Sequence, residues 1–164
     1  MTLAAHFPAL QVIMPLAAAP LCALLPVRHV AWTIATAVSW ACLAIAIYLL
    51  SQVMVHGPMV YHMGGWPPPW GIALRIDILN AFVLLIVAAI NAVVISFARL
   101  SIDREIDDGP VHLVYTAWLL CVAGMFGITV TGDAFNIFVF LEISSLASYI
   151  LVASGRDRRA LVAA

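Results

Sequence analysis

One carboxylate in this sequence falls inside a long apolar run. Glu142 lies nine residues beyond Asp133, within the stretch from Ala134 to Ala153. Folded as a helix, that stretch would carry Glu142 about 13 to 14 Å in, near the middle of a bilayer core. A central acidic residue costs about 2.5 to 3.5 kcal/mol on the membrane-insertion scale, and each Leu, Ile, Phe or Val returns about 0.3 to 0.6. Eleven such residues lie between Phe135 and Val152, enough for the segment to insert with its acid in place. A carboxylate at that depth normally faces a bundle interior and lies on a proton or ion path, so Glu142 is expected there. Helical spacing puts Phe135, Phe138, Ser145, Leu146 and Tyr149 on its face, a hydroxyl one turn away and a phenol two turns away, both able to pass a proton through water. The plainer alternative is a protonated acid that bonds a neighbouring helix and only holds the bundle together.

Low-dielectric surroundings favour the neutral acid, and a nearby cation favours the carboxylate. A group balanced between the two can load and release a proton as its partner moves. No lysine occurs in the chain, and the seven arginines (28, 75, 99, 104, 156, 158, 159) fall between apolar runs. A partner for Glu142 must therefore come from elsewhere. Asn91, inside another apolar run, suits a cross-helix hydrogen bond better than a place on an ion path. Asp133 follows Thr131 and Gly132 and most simply caps the helix that holds Glu142. His112 could hand on protons but reads more simply as wetted at the interface.

The elements that must hold these residues are membrane spans. The composition is 65% hydrophobic and 9% charged with a mean hydropathy of +1.12, far from the soluble norm of roughly 45 to 50% and 25%. A domain this small cannot hide so much apolar surface from water, so the solvent must be lipid. Five runs are long enough to cross: about 9–26, 30–54, 78–98, 112–131 and 134–153. Pro8, Pro15 and Pro20 interrupt the first, which is read as a retained helix because no positive charge precedes it as in a secretory signal. Small-residue spacings, Ala31 with Ala35 and Ala88 with Ala92, suit close helix packing.

Arginines collect on cytoplasmic loops. With the amino terminus outside, six of the seven fall on the inner side and only Arg75 on the outer. The inner segment 99–111 reads as a solvated connector ended by the Gly109-Pro110 turn. The outer segment 55–77 is broken by Gly64-Gly65 and Pro67-Pro68-Pro69, with Trp66 and Trp70 suited to the interface. Ile72, Leu74, Ile76 and Ile78 alternate against Ala73, Arg75 and Asp77, so a small hairpin is expected to cap the outer face, and could dock another subunit. The expectation is an all-α membrane protein, a bundle of about five transmembrane helices with a small outer hairpin. Cys22, Cys42 and Cys121 stand alone in apolar runs and five histidines are scattered, so no metal, iron-sulfur or other cofactor site is expected, nor a redox or hydrolytic site of the chain's own. No basic patch could hold nucleic acid, and no nucleotide-binding glycine motif occurs.

Two stretches resemble a known family. Gly64-Gly65-Trp66-Pro67-Pro68-Pro69-Trp70-Gly71-Ile72, continuing through Arg75-Ile76-Asp77, resembles the outer loop before the third span in the D-type subunit of Mrp sodium/proton antiporters. Thr131-Gly132-Asp133 through Phe135-Asn136-Ile137-Phe138-Val139-Phe140-Leu141-Glu142, ending in Ser148-Tyr149, resembles the same protein's fifth span. The Mrp D-type subunit is similar to the antiporter-like subunits of respiratory complex I and of membrane-bound hydrogenases. The resemblance implies a bacterial inner-membrane protein of about fourteen helices, in which the fifth-span glutamate, here Glu142, pairs with a lysine of a later span in an ion-translocating half-channel. It implies lipid and other membrane subunits as partners, with the lysine-bearing helix supplied by another chain. The run Ala160-Leu161-Val162-Ala163-Ala164 looks like the opening of a sixth span, so the sequence is expected to be an amino-terminal portion, from a split or truncated gene. The competing expectations are a structural module for assembly and an inactive remnant.

Overall fold

The computed structural model describes residues 3–66, 70–105 and 110–154. Five helices dominate: α1 Phe7–Leu24, α2 Arg28–His56, α3 Ile78–Glu105, α4 Val111–Val130 and α5 Ala134–Ala153. All five are long and apolar enough to cross a membrane. A short 3-10 turn, Leu3–His6, leads into α1. Between α2 and α3 two strands, β1 Met59–His62 and β2 Ala73–Ile76, pair antiparallel with Met59 opposite Ile76.

The three prolines do not break α1. Pro8 sits in the first turn, where no N–H is needed, while Pro15 and Pro20 lie within the helix. In α2 the helix ends at Gly57, whose φ of 84° is a left-handed conformation open to glycine. Gly64 and Gly65 adopt φ of 67° and 77° between the strands for the same reason.

Two boundaries differ from the sequence expectation. The alternation of β2 stops at Ile76: Leu74 and Ile76 are buried, but Ile78 already belongs to α3 and is 59% exposed. Asp77 is a helix cap, its Oδ1 accepting from the Asn80 backbone N–H at 3.0 Å. At its other end α3 runs on to Glu105, so residues 99–105 of the connector expected over 99–111 are helix. Nothing from Arg99 to Glu105 is a glycine or proline, and charged residues continue a helix once it leaves the hydrocarbon. Gly109, Pro67 to Pro69, Arg156, Arg158, Arg159 and the run 160–164 lie outside the described residues.

Helix α4 is the hub. It packs on α1, α5, α3 and α2, while α2 lies against α3 and α1. At the hairpin end the core holds Val12, Leu49, Leu74, Ile76, Leu84 and Phe126. At the opposite end it holds Cys22, Ala31, Ala35, Ile95, Tyr115 and Leu119. Ala31, Ala35, Ala88 and Ala92 are all fully buried, so helix backbones approach closely there.

The hairpin is bolted to the bundle. Leu74 bridges Thr131, and the Gly132 N–H donates to the Ala73 carbonyl at 3.0 Å. The Asn80 side-chain amide donates to the carbonyls of Arg75 and Thr129 at 3.0 and 3.1 Å, tying β2 to the end of α4. A 2.8 Å hydrogen bond joins His6 Nδ1 and the Tyr61 hydroxyl, fastening the start of α1 to β1. Trp66 and Trp70 are 65% and 84% exposed beside this cap.

Candidate functional site

Helix α5 begins at a well-made cap. Asp133 Oδ1 accepts from the Phe135 N–H at 3.1 Å, and its Oδ2 accepts from the Asn136 amide at 2.6 Å. The cap fixes the rotation of the helix, and one face meets α4. Gly124 and Gly127 form the α4 side of that seam: a Cβ on Gly124 would lie 2.7 Å from the Phe140 carbonyl, and one on Gly127 would enter the Phe140 ring. From α5 come Phe140, Ser144, Ala147 and Ser148, with the Cys121 thiol 3.7 Å from Ser144 Oγ and 3.4 Å from Ser148 Oγ. Small residues on both sides let the two helices close to near backbone contact.

This seam decides where Glu142 points. Residues 140, 144, 147 and 151 lie roughly half a turn around the helix from 142, so the acid is carried on the opposite face. Glu142 is exposed, as are Phe135, Phe138, Leu146 and Tyr149 beside it, and Ser145 is half-buried. Glu142 and these neighbours lie on the side of α5 turned away from α1 to α4, because the small-residue face of α5 takes the seam. Among the described residues no hydrogen bond or ion pair reaches Glu142, and none joins it to Ser145 or Tyr149.

The other candidates lie apart from it. Asp133 stands at the hairpin end, nine residues away along α5. Asn91 is buried between α3 and α4, where its Oδ1 accepts from the Trp118 indole N–H at 2.7 Å. Its Nδ2 has no acceptor among the described residues. His112 is half-buried at the start of α4, and its carbonyl accepts from Thr116 Oγ1 at 3.0 Å.

Three polar features escape a reading of the sequence. Gln11 is fully buried with neither amide atom paired among the described residues, and Ser39 is buried with an unpaired hydroxyl. A lone carboxamide in the apolar run of α1 is the available signal for Gln11. The Asn80 clamp has none, because its partners are backbone carbonyls brought together only by the fold.

Among the described residues no group of three or more His, Cys, Asp or Glu could hold a metal ion. What the arrangement offers is an ionisable side chain at mid-helix on an apolar face that is exposed among the described residues. Lipid would not tolerate a charge there without a partner or water.

No protein-family model matches the chain. It is 41% identical to the N-type subunit of the NADH-quinone oxidoreductase of Desulforudis audaxviator, over 98% of this chain and 32% of that protein. It is 34% identical to the D-type subunit of the Na(+)/H(+) antiporter of Alkalihalophilus pseudofirmus, over 69% of this chain and 22% of that protein. Among solved structures, the Mrp complex from Dietzia sp. DQ12-45-1b matches with a TM-score of 0.82 at 25% identity, over 99% of this chain and 30% of that one. The chain thus spans about a third or less of these proteins, and that partial coverage fits an amino-terminal portion. Over the length it spans, this multi-pass membrane chain belongs to the antiporter-like family that includes the Mrp D-type and complex I N-type subunits.

Proposed function

We propose that the chain is the amino-terminal part of a proton-translocating subunit of a monovalent cation/proton antiporter, with Glu142 on the proton path. The observation that supports this reading is the ionisable side chain at the middle of α5, on a face left exposed among the described residues. Such a group calls for a basic or hydrated partner; the chain has no lysine, and no basic side chain reaches Glu142 among the described residues. A lysine-bearing helix from another chain, seated on this face, would hold Glu142 ionised when near and let it take a proton when withdrawn. Ser145 and Tyr149 would relay the proton through water. Asp133 would mark the mouth of the path at the hairpin end, and Asn91 has the weakest claim to it.

The arginine distribution supports an amino terminus and hairpin on the outside of a bacterial cell membrane. Lipid and other membrane subunits are the partners, since the matched Mrp structure is a complex. The test is Glu142→Gln in the assembled complex, with proton and sodium flux measured in vesicles. Flux should fall sharply, as expected when an intramembrane acid on an ion path can no longer carry a proton. Unchanged flux with intact assembly removes Glu142 from the mechanism and leaves a structural or assembly module.

The higher identity to the oxidoreductase relative, 41% against 34%, favours a second reading: an antiporter-like subunit of an NADH-quinone oxidoreductase or hydrogenase complex. Deleting the gene discriminates. Loss of NADH-driven proton pumping supports the second reading, and loss of cation/proton exchange without it supports the first.

A further inference from the structure

Helix α5 leans on one neighbour. Among the described residues it packs extensively against α4 alone, so its rotation and its height in the membrane are set along a single seam. Ser144, Ala147 and Ser148 on that seam are small, and small side chains offer little relief to stop one helix turning or sliding on the other. Phe140 is different. Its ring lies against Gly127, where even a methyl group would enter it, and its carbonyl lies 2.7 Å from where a Cβ on Gly124 would stand. A bulky ring in a notch that only glycine leaves open is a steric pin, because close-packed surfaces settle in discrete fits and do not slide smoothly.

Pin and acid are two residues apart on one helix. Each residue of an α-helix adds about 100° of rotation, so Phe140 and Glu142 point about 200° apart. Setting a neighbouring residue of α5 into the notch instead would swing the acid by about 100°. Proton transfer needs donor and acceptor within hydrogen-bond reach, directly or through one water, and a swing of that size takes the acid out of it.

We propose that Phe140, seated on Gly127, is a positioning residue for Glu142: it holds the acid at the rotation and depth at which it meets the group that exchanges protons with it. This inference rests on the reading of Glu142 as part of the proton path and adds to it a residue on the opposite face of the helix. The test is the proton flux of the assembled complex in vesicles, normalised to the amount of complex and followed against pH. Gly127→Ala drives a methyl group into the ring. Phe140→Leu leaves the notch part empty without overpacking, and gives the reading should Gly127→Ala fail to assemble. Each should move the pH of half-maximal flux by about one unit, the scale on which the nearness of a cation acts on a carboxyl group. The two together trade ring volume for the methyl group and should bring the midpoint back toward the parent. A purely structural seam would lower flux equally at every pH and leave the midpoint in place, which overturns the proposal. A midpoint that shifts in the single variants and stays shifted in the double one overturns it as well. Glu142→Gln keeps the two readings apart. Unchanged flux there overturns the proton path and this inference with it; a collapse of flux there, with an unmoved midpoint in Gly127→Ala and Phe140→Leu, overturns this inference alone.

Discussion

Helices α4 and α5 are each 20 residues long with mean hydropathies of 1.9 and 1.8, yet half of the residues of α4 are buried in the bundle, and of α5 only Asn136 and Ala147. In water such helices would differ in amphipathicity, because an exposed face must be polar. In lipid the exposed face is as apolar as the buried one, so hydropathy counts spans without saying which side of each meets protein. What separates the two helices is the placement of small residues. Helix α4 presents Ala117, Ala123, Gly124 and Gly127 to its neighbours, all buried, whereas α5 has a single narrow stripe of Ser144, Ala147 and Ser148 that holds it to α4. Opposite that stripe, Glu142 and its neighbours are exposed among the described residues.

The sharpest way to break this contrast is to widen the seam. Gly124→Val would drive a side chain into the Phe140 carbonyl and Ser144, both 2.7 to 2.8 Å from a Cβ at that position, and backbone cannot step aside as a flexible side chain can. Overpacking of this kind costs about 1 to 3 kcal/mol or more. The expected result is release of α5 from α4, read as lost α4–α5 cross-linking and a lower thermal midpoint in detergent. A variant as stable as the parent would mean that the seam has room to spare.

The clamp across the hairpin end comes next. Asn80→Leu removes the amide that joins the carbonyls of Arg75 and Thr129, and each bond is worth about 1 kcal/mol net. Protease cleavage in the outer loop should rise several-fold while the helices stay intact, since the strand pairing and the Gly132 bond remain. Asp133→Ala deletes the cap of α5 and should cost about 1 kcal/mol, with Asp133→Asn recovering most of it. Faster amide exchange at Phe135 and Asn136 would report it, and the absence of any change would show that the seam alone sets the start of the helix.

Much of this is legible in the chain, for reasons of solvent. Twenty apolar residues can be read without knowing their neighbours, so all five spans and the hairpin between Gly57 and Asp77 follow from the residues themselves. The extension of α3 past Arg99 does not, because charge marks the end of hydrocarbon and not the end of helix. The side on which Glu142 lies is illegible for the reason α4 and α5 look alike. Its neighbours Phe135, Phe138 and Tyr149 could line an interior as readily as an open face, and only the seam through Gly124 and Gly127 shows which. The Asn91–Trp118 bond joins residues 27 apart and needs the crossing of α3 and α4 to exist.

The smallest effect expected on the chain itself is the most discriminating. Leu146 is 57% exposed on the open face of α5, one turn from Glu142. Leu146→Ala truncates a side chain that is mostly exposed among the described residues, so the chain's own unfolding should shift by no more than about 0.5 kcal/mol. In an assembled complex the same side chain would pack against whatever covers Glu142, and truncating it there would open a cavity worth about 2 to 5 kcal/mol. Thermal stability of the isolated chain and the yield of assembled complex should then part company: the first nearly unchanged, the second clearly reduced. If both stay level, the open face of α5 meets lipid, and the difference between α4 and α5 is one of position alone, with no protein partner behind it.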